Sequence, residues 1–120
     1  MIRYELPYPP SVNNLFANAK NGGRYPVPSY KAWRNEAGEQ ILAQGRKRLR
    51  GRFSLAIYVV RPDRRKRDVA NLIKAVEDLL VEMQIVEDDS LAERVTIQWA
   101  DEGSFECLVV VQPAEEMLAA

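Results

Sequence analysis

Histidine is absent from this 120-residue chain, and cysteine occurs once. Without an imidazole there is no Ser-His or Cys-His nucleophile and no His-ligated zinc. Any metal ion must rest on oxygen ligands, which favours Mg²⁺ or Mn²⁺. The lone Cys107 has no internal disulfide partner, which fits a reducing compartment. It alternates with apolar neighbours in the segment 105–111 and is expected in the core. No apolar run approaches the roughly 18 residues of a membrane-spanning helix, and Met1–Pro10 lacks the apolar stretch of a secretion signal. A cytoplasmic protein with no membrane partner is the expectation. About half of the residues are apolar, enough for one core but not two, so residues 1–120 are expected to form a single domain.

Excess charge of one sign is also missing: 17 basic residues balance 17 acidic ones. The balance is a sum of unlike blocks. Residues 46–67 hold ten Lys or Arg against one acidic residue, whereas residues 68–120 hold two against thirteen. Such asymmetry within one domain suits a nucleic-acid footprint beside an acidic region. A solvated basic loop and a solvated acidic face would give the same pattern.

Apolar spacing suggests the elements. Arg3–Leu6 reads as a short strand, ended by Pro7, Pro9 and Pro10, since proline cannot donate to a ladder. Residues 11–29, rich in Asn, Gly and Pro, read as a long loop of the kind that often carries function. Tyr30 to about Leu49 is predicted helical, with Tyr30, Trp33, Ala37 and Ile41 on one stripe. Phe53–Arg61 is a strand. Asp68 to about Gln84 gives the clearest helix, with an apolar stripe through Leu72, Ile73, Val76, Leu79 and Leu80. Two strands, Glu93–Ala100 and Phe105–Gln112, most simply form an antiparallel hairpin. A tail from Pro113 either adds a short helix or stays loose. The order β-α-β-α-β-β points to a two-layer α+β domain, a small mixed sheet covered by two main helices.

The chemistry concentrates between Arg61 and Asp89. Arg64, Arg65, Lys66 and Arg67 suit DNA backbone phosphates, a sequence-blind and salt-sensitive interaction. Asp68 opens the helix that follows, and two roles are open to it: an N-cap for an orphan backbone N–H, or a metal ligand. Asn71, Lys74 and Asp78 share the polar side of that helix. Asn71 is either solvated or orients a carboxylate. Lys74 either pairs with Asp78 four residues on or offsets phosphate charge in a transition state. Glu87, Asp88 and Asp89 form an acidic run that a cation, or plain solvent, would relieve. Basic groups for phosphate beside carboxylates for a hard cation are the ingredients of a metal-dependent nuclease acting on a phosphodiester.

The pattern Pro62-Asp63-Arg64-Arg65-Lys66-Arg67-Asp68-x-x-Asn71-x-x-Lys74-Ala75, followed by a helix and Glu87-Asp88-Asp89, resembles the RusA-type Holliday junction resolvases of bacteria and their phages. The opening Leu6-Pro7-Tyr8-Pro9-Pro10-Ser11-Val12-Asn13-Asn14 is similar to that family's N-terminal Pro-Pro-Ser-x-Asn-Asn segment. The likeness implies a small α+β homodimer that binds four-way junction DNA and cuts two opposed strands with Mg²⁺ or Mn²⁺. It implies catalytic roles for Asp68, Lys74 and Asp89, with Asp88 adjacent. The family pattern carries a second Asp two residues after the first, where this chain has Ala70. Three explanations are open. Asp78 or Glu77 serves instead, the chain is an engineered inactive variant, or it is a relative that recognises junctions without cutting well. On the first, metal would rest on Asp68, Asp88, Asp89 and Asp78.

Overall fold

The computed structural model describes residues 1–114. Among these residues eight regular elements form in chain order: β1 (Ile2–Leu6), β2 (Phe16–Asn18), β3 (Arg24–Pro26), α1 (Pro28–Gln44), β4 (Phe53–Val60), α2 (Ile73–Glu82), β5 (Ala92–Ala100) and β6 (Cys107–Pro113). Two helices and a four-stranded mixed sheet make the expected α+β domain. A two-stranded ribbon, β2–β3, is added to it.

One sheet face carries the core. Ile2, Tyr4 and Leu6 of β1, Phe53, Leu55, Ile57 and Val59 of β4, and Cys107, Val109 and Val111 of β6 are all buried. They lie at alternate positions in register, Leu55 opposite Val111, Ile57 opposite Val109 and Val59 opposite Cys107. Alternation of this kind places them on one side of the pleat. The buried stripes of both helices, Tyr30, Trp33, Ala37 and Ile41 from α1 and Ala75, Val76, Leu79 and Leu80 from α2, join the same cluster. Each large apolar side chain so buried contributes about 1.5–3 kcal/mol. Cys107 is wholly enclosed, and burial pushes its thiol up to about 12, in keeping with a packing role.

The expected β5–β6 hairpin does not form. The sheet order is β1-β6-β4-β5: β5 pairs parallel with β4, and β6 pairs antiparallel with both β4 and β1. The physical reason lies in burial. The inward side chains of β6 are fully enclosed and suit a strand with neighbours on both edges. β5, half-exposed along most of its length, suits the sheet margin. The helical crossover through α2 is what parallel pairing of β4 and β5 requires, and residues 101–106 then pass the end of β4 to reach β6.

Three further boundaries differ from expectation. α1 stops at Gln44 because Gly45 takes φ 93°, so the basic stretch Arg46–Arg52 is not the end of a helix. It is a strap instead. The Tyr4 hydroxyl accepts from the Lys47 N–H at 2.7 Å, and the Leu49 N–H donates to the Ile85 carbonyl at 2.8 Å. The clear helix is shorter than its apolar stripe: a 3-10 turn, Val69–Leu72, precedes α2. Residues 11–29 are not a bare loop. They contain a 3-10 turn, Val12–Asn14, capped by Ser11, and the β2–β3 ribbon. The expected tail beyond Ala114 lies outside the described residues, while Pro113 itself completes β6.

Candidate active site

β4 delivers the chain into the basic loop 61–68. Asp63 organises that loop by accepting from the Arg65 N–H at 3.0 Å and from the Arg67 guanidinium at 2.7 and 3.2 Å. The bond to Arg67 holds the Asp63 carboxyl below the usual carboxylate range. Arg67 is therefore pinned in direction, while Arg64, Arg65 and Lys66 are exposed. Asp68 ends the loop as a helix cap. Its Oδ1 accepts from the Ala70 N–H at 3.1 Å. A carboxylate has two oxygens, so capping through one leaves the other to face a second partner.

Lys74 stands one turn further on and donates from Nζ to Asp78 Oδ1 at 3.0 Å, the expected spacing-of-four pair. That bond, helped by the charges of Asp78, Asp89 and Glu77, raises the Lys74 pKa and keeps the ammonium charged. Glu77 is half-buried. Burial first, and then the nearby charge of Asp89, raise its pKa above the ordinary value. Asp88 is fixed by Ser90, whose backbone N–H and hydroxyl both bond to Asp88 Oδ2, and those bonds lower its pKa.

The aspartates at 68, 78, 88 and 89 line two depressions. Asp78, Asp88 and Asp89 share a groove of about 340 Å³ whose other wall includes Phe16, Tyr30 and Arg34. Asp68, Asn71 and Arg67 line a larger cleft of about 600 Å³, closed by the segment around Tyr8, Pro9 and Pro10. The first turns of α1 contribute to both, through Tyr30 and Arg34 on one side and Ser29 and Trp33 on the other. Of the residues expected at the site, the structure thus groups Asp78, Asp88 and Asp89, with Lys74 bonded to Asp78. It places Asp68 in the larger cleft.

Sequence reasoning did not assign roles to Tyr8, Trp33 or Phe16. The Trp33 indole donates to the Pro7 carbonyl at 3.1 Å and so ties the Pro-rich segment to α1. Phe16 meets Tyr30 edge to face at 5.7 Å, with the Arg24 guanidinium 4.9 Å from its ring centre. A run of prolines followed by Ser and Asn was the one signal for the cleft wall, but nothing in it located the partner surface.

A profile of the family described as Endodeoxyribonuclease RusA matches residues 7–110. This chain belongs to the RusA endodeoxyribonuclease family. A crossover junction endodeoxyribonuclease RusA from Aquifex aeolicus (strain VF5) is 25% identical over 115 residues, covering 91% of this chain and 86% of that protein. The matched span takes in the cleft, the basic loop and the acidic groove together.

The donor chemistry fits a hard divalent cation. Every candidate ligand is a carboxylate oxygen, from Asp68, Asp78, Asp88 or Asp89. Among the described residues no group of three or more acidic side chains is placed to cage an ion. Mg²⁺ does not require such a cage. It keeps several waters and is commonly held by one or two carboxylates together with substrate phosphate oxygens.

Proposed function

We propose that this chain is a metal-dependent endodeoxyribonuclease that resolves Holliday junctions by paired phosphodiester hydrolysis in DNA recombination and repair, acting as a homodimer. The observation that carries the reading is a charged Lys74 set among the carboxylates of Asp78, Asp89 and Glu77, immediately after a basic loop, within a chain of the RusA family. One or two of the carboxylates of Asp68, Asp89, Asp88 and Asp78, together with phosphate oxygens of the DNA, would hold Mg²⁺ or Mn²⁺. The ion supplies Lewis acidity and an activated water when bound. Arg64, Arg65 and Lys66 bind backbone phosphates, and Arg67, held by Asp63, presents its guanidinium at a fixed angle. Lys74 offsets the negative charge that develops on the phosphate. Asp78 or Glu77 supplies the carboxylate that position 70 lacks. Two-fold symmetry in the protein suits a substrate in which two related strands are cut.

The test is cleavage of a labelled synthetic four-way junction in Mg²⁺, Mn²⁺ or EDTA, beside a linear duplex of the same sequence. Paired, metal-dependent cuts on the junction alone are expected. Asp68→Asn keeps the cap, because Asn caps as well as Asp, but removes the charge and should abolish cutting. Full activity in that variant would defeat the assignment.

Ala70 favours a second reading: a protein that recognises four-way junctions but cuts them poorly. It predicts tight binding with or without metal and no turnover. Ala70→Asp separates the two. A gain of several orders of magnitude would mark a crippled site, and a small change would mark alanine as native to a working one.

A further inference from the structure

We propose that the cleft beside Asp68 takes a single unstacked nucleobase flanking the scissile phosphate, and that Asn14 and Asn71 read its edge. The inference rests on the reading of this chain as a junction-cutting enzyme and adds a source of sequence preference to it.

Size and shape come first. At about 600 Å³ the cleft lies well inside the range of about 300–1,000 Å³ usual for sites that enclose a small organic ligand. Contact with phosphate alone calls for an open basic surface, and the exposed Arg64, Arg65 and Lys66 already provide one. A concave site is needed only for a group that leaves the helix stack. Bases inside a duplex cannot enter such a recess, so the occupant must be unstacked. At the branch point of a junction held open, each terminal base pair lacks a stacking neighbour on one side, so extruding a base there costs less than within a duplex.

The lining is graded in charge. Its charged groups, Arg67 and Asp68, stand next to each other in the chain, at the end that meets the basic loop. The rest is neutral: amides from Asn14 and Asn71, hydroxyls from Ser11 and Ser29, and the faces of Tyr8 and the prolines. A neutral planar group carrying a phosphate on one side matches that gradient. Asn side chains offer a donor and an acceptor side by side, the arrangement that discriminates base edges. Tyr8 and the adjacent prolines give a flat wall for stacking. Burial raises the Tyr8 pKa, with Arg67 opposing it, so the hydroxyl stays protonated as a donor. The wall is held rigidly, since the buried indole of Trp33 fixes the Pro7 carbonyl. Asn14 sits in the short 3-10 turn that Ser11 caps, and Asn71 in the one that Asp68 caps. Both readers are therefore placed by capped turns, one of them by the candidate catalytic residue itself.

The experiment uses the intact chain and a set of junctions that differ only in the base next to the cut, plus one with an abasic residue there. Cleavage rates are measured in Mg²⁺ and dissociation constants in EDTA. The wild type is expected to spread these junctions by about tenfold or more between best and worst base. Asn14→Ala and Asn71→Ala should each compress that ratio to within about threefold. A ratio between sequences cancels any uniform loss of activity, so a merely structural effect would leave it unchanged. The proposal is overturned if the wild type treats all bases alike, or if neither variant changes the ratio. Metal-dependent, paired cutting with indifference to the base would sink the cleft proposal and leave the resolvase reading standing. Failure to bind or cut any junction would remove both.

Discussion

Replacing Lys74 with alanine separates what this side chain does for folding from what it does for chemistry. In the folded chain Nζ meets Asp78 at 3.0 Å, but the two side chains keep 48% and 30% of their exposure. A pair so open to water is screened, and pairs four residues apart on helices contribute only about 0.3–0.5 kcal/mol. Alanine returns a few tenths of a kcal/mol as the better helix former. The expected change in stability is therefore within about 0.5 kcal/mol. The catalytic cost is of another order. Loss of one preorganised group that stabilises transition-state charge costs about 10²–10³ in rate, or roughly 2.7–4 kcal/mol. The assay pairs urea unfolding with single-turnover cleavage of a saturating labelled junction. An intact fold with a rate lowered by two to three orders of magnitude is the expected result. A rate within about fivefold of wild type, or a rate loss matched by equal loss of stability, would refute the reasoning. Asp78→Asn should leave most of the rate if Asp78 only tethers Lys74, and should remove it if Asp78 also holds metal.

Four other outcomes can be checked. Arg64→Ala, Arg65→Ala and Lys66→Ala combined should lower the slope of log binding constant against log salt by about 2.7, at roughly 0.9 for each duplex phosphate that is no longer neutralised; an unchanged slope would remove these residues from the interface. Trp33→Phe strips the partner from the Pro7 carbonyl and should cost about 1–3 kcal/mol in chemical denaturation. Glu77 has a raised pKa in the fold, so the native state binds its proton more tightly than the unfolded chain, and stability falls as pH climbs from the ordinary carboxylate range through the folded value. Glu77→Gln should accordingly melt higher than wild type at pH 7 and lose that advantage at about pH 4. Lys74 is also raised, but its stabilising pair persists below the unfolded lysine range and is lost only in strongly alkaline solution, so melting near neutral pH should not report it.

The α+β order, both helical stripes and the core strands were legible in the sequence because each depends on local periodicity, and periodicity follows from burial on one side. Pairing is not local. Nothing in Glu93–Ala100 states that its neighbour is β4 rather than the strand that follows it, although the unbroken Leu108–Val111 run hinted at a central position for β6. The candidate site divides along the same line. The Lys74–Asp78 pair and the Asp68 cap follow from spacing within one helix, and both are present. The grouping of Asp78 with Asp88 and Asp89, and the separate cleft that Tyr8 and Trp33 share with Asp68, depend on how α1, the Pro-rich segment and the 88–89 turn come together. No stretch of sequence displays that. Glu77 shows the difference well: its candidacy in place of position 70 was visible, but its partial burial within reach of the Asp89 charge was not.

The position of β6 sets a timetable for folding. β1 is synthesised before every other described element, yet its partner in the described sheet is a strand that begins at Cys107. Until β6 arrives, β1 has no ladder to join, and the Tyr8–Pro10 wall directly behind it is tied only through the Trp33–Pro7 bond. The cleft beside Asp68 thus completes its N-terminal wall only after β6 has docked. A ribosome stalled before Cys107 would expose an acidic groove and a basic loop with no finished cleft between them. Loss of β6 would leave β1, more than 100 residues away in the chain, without its partner.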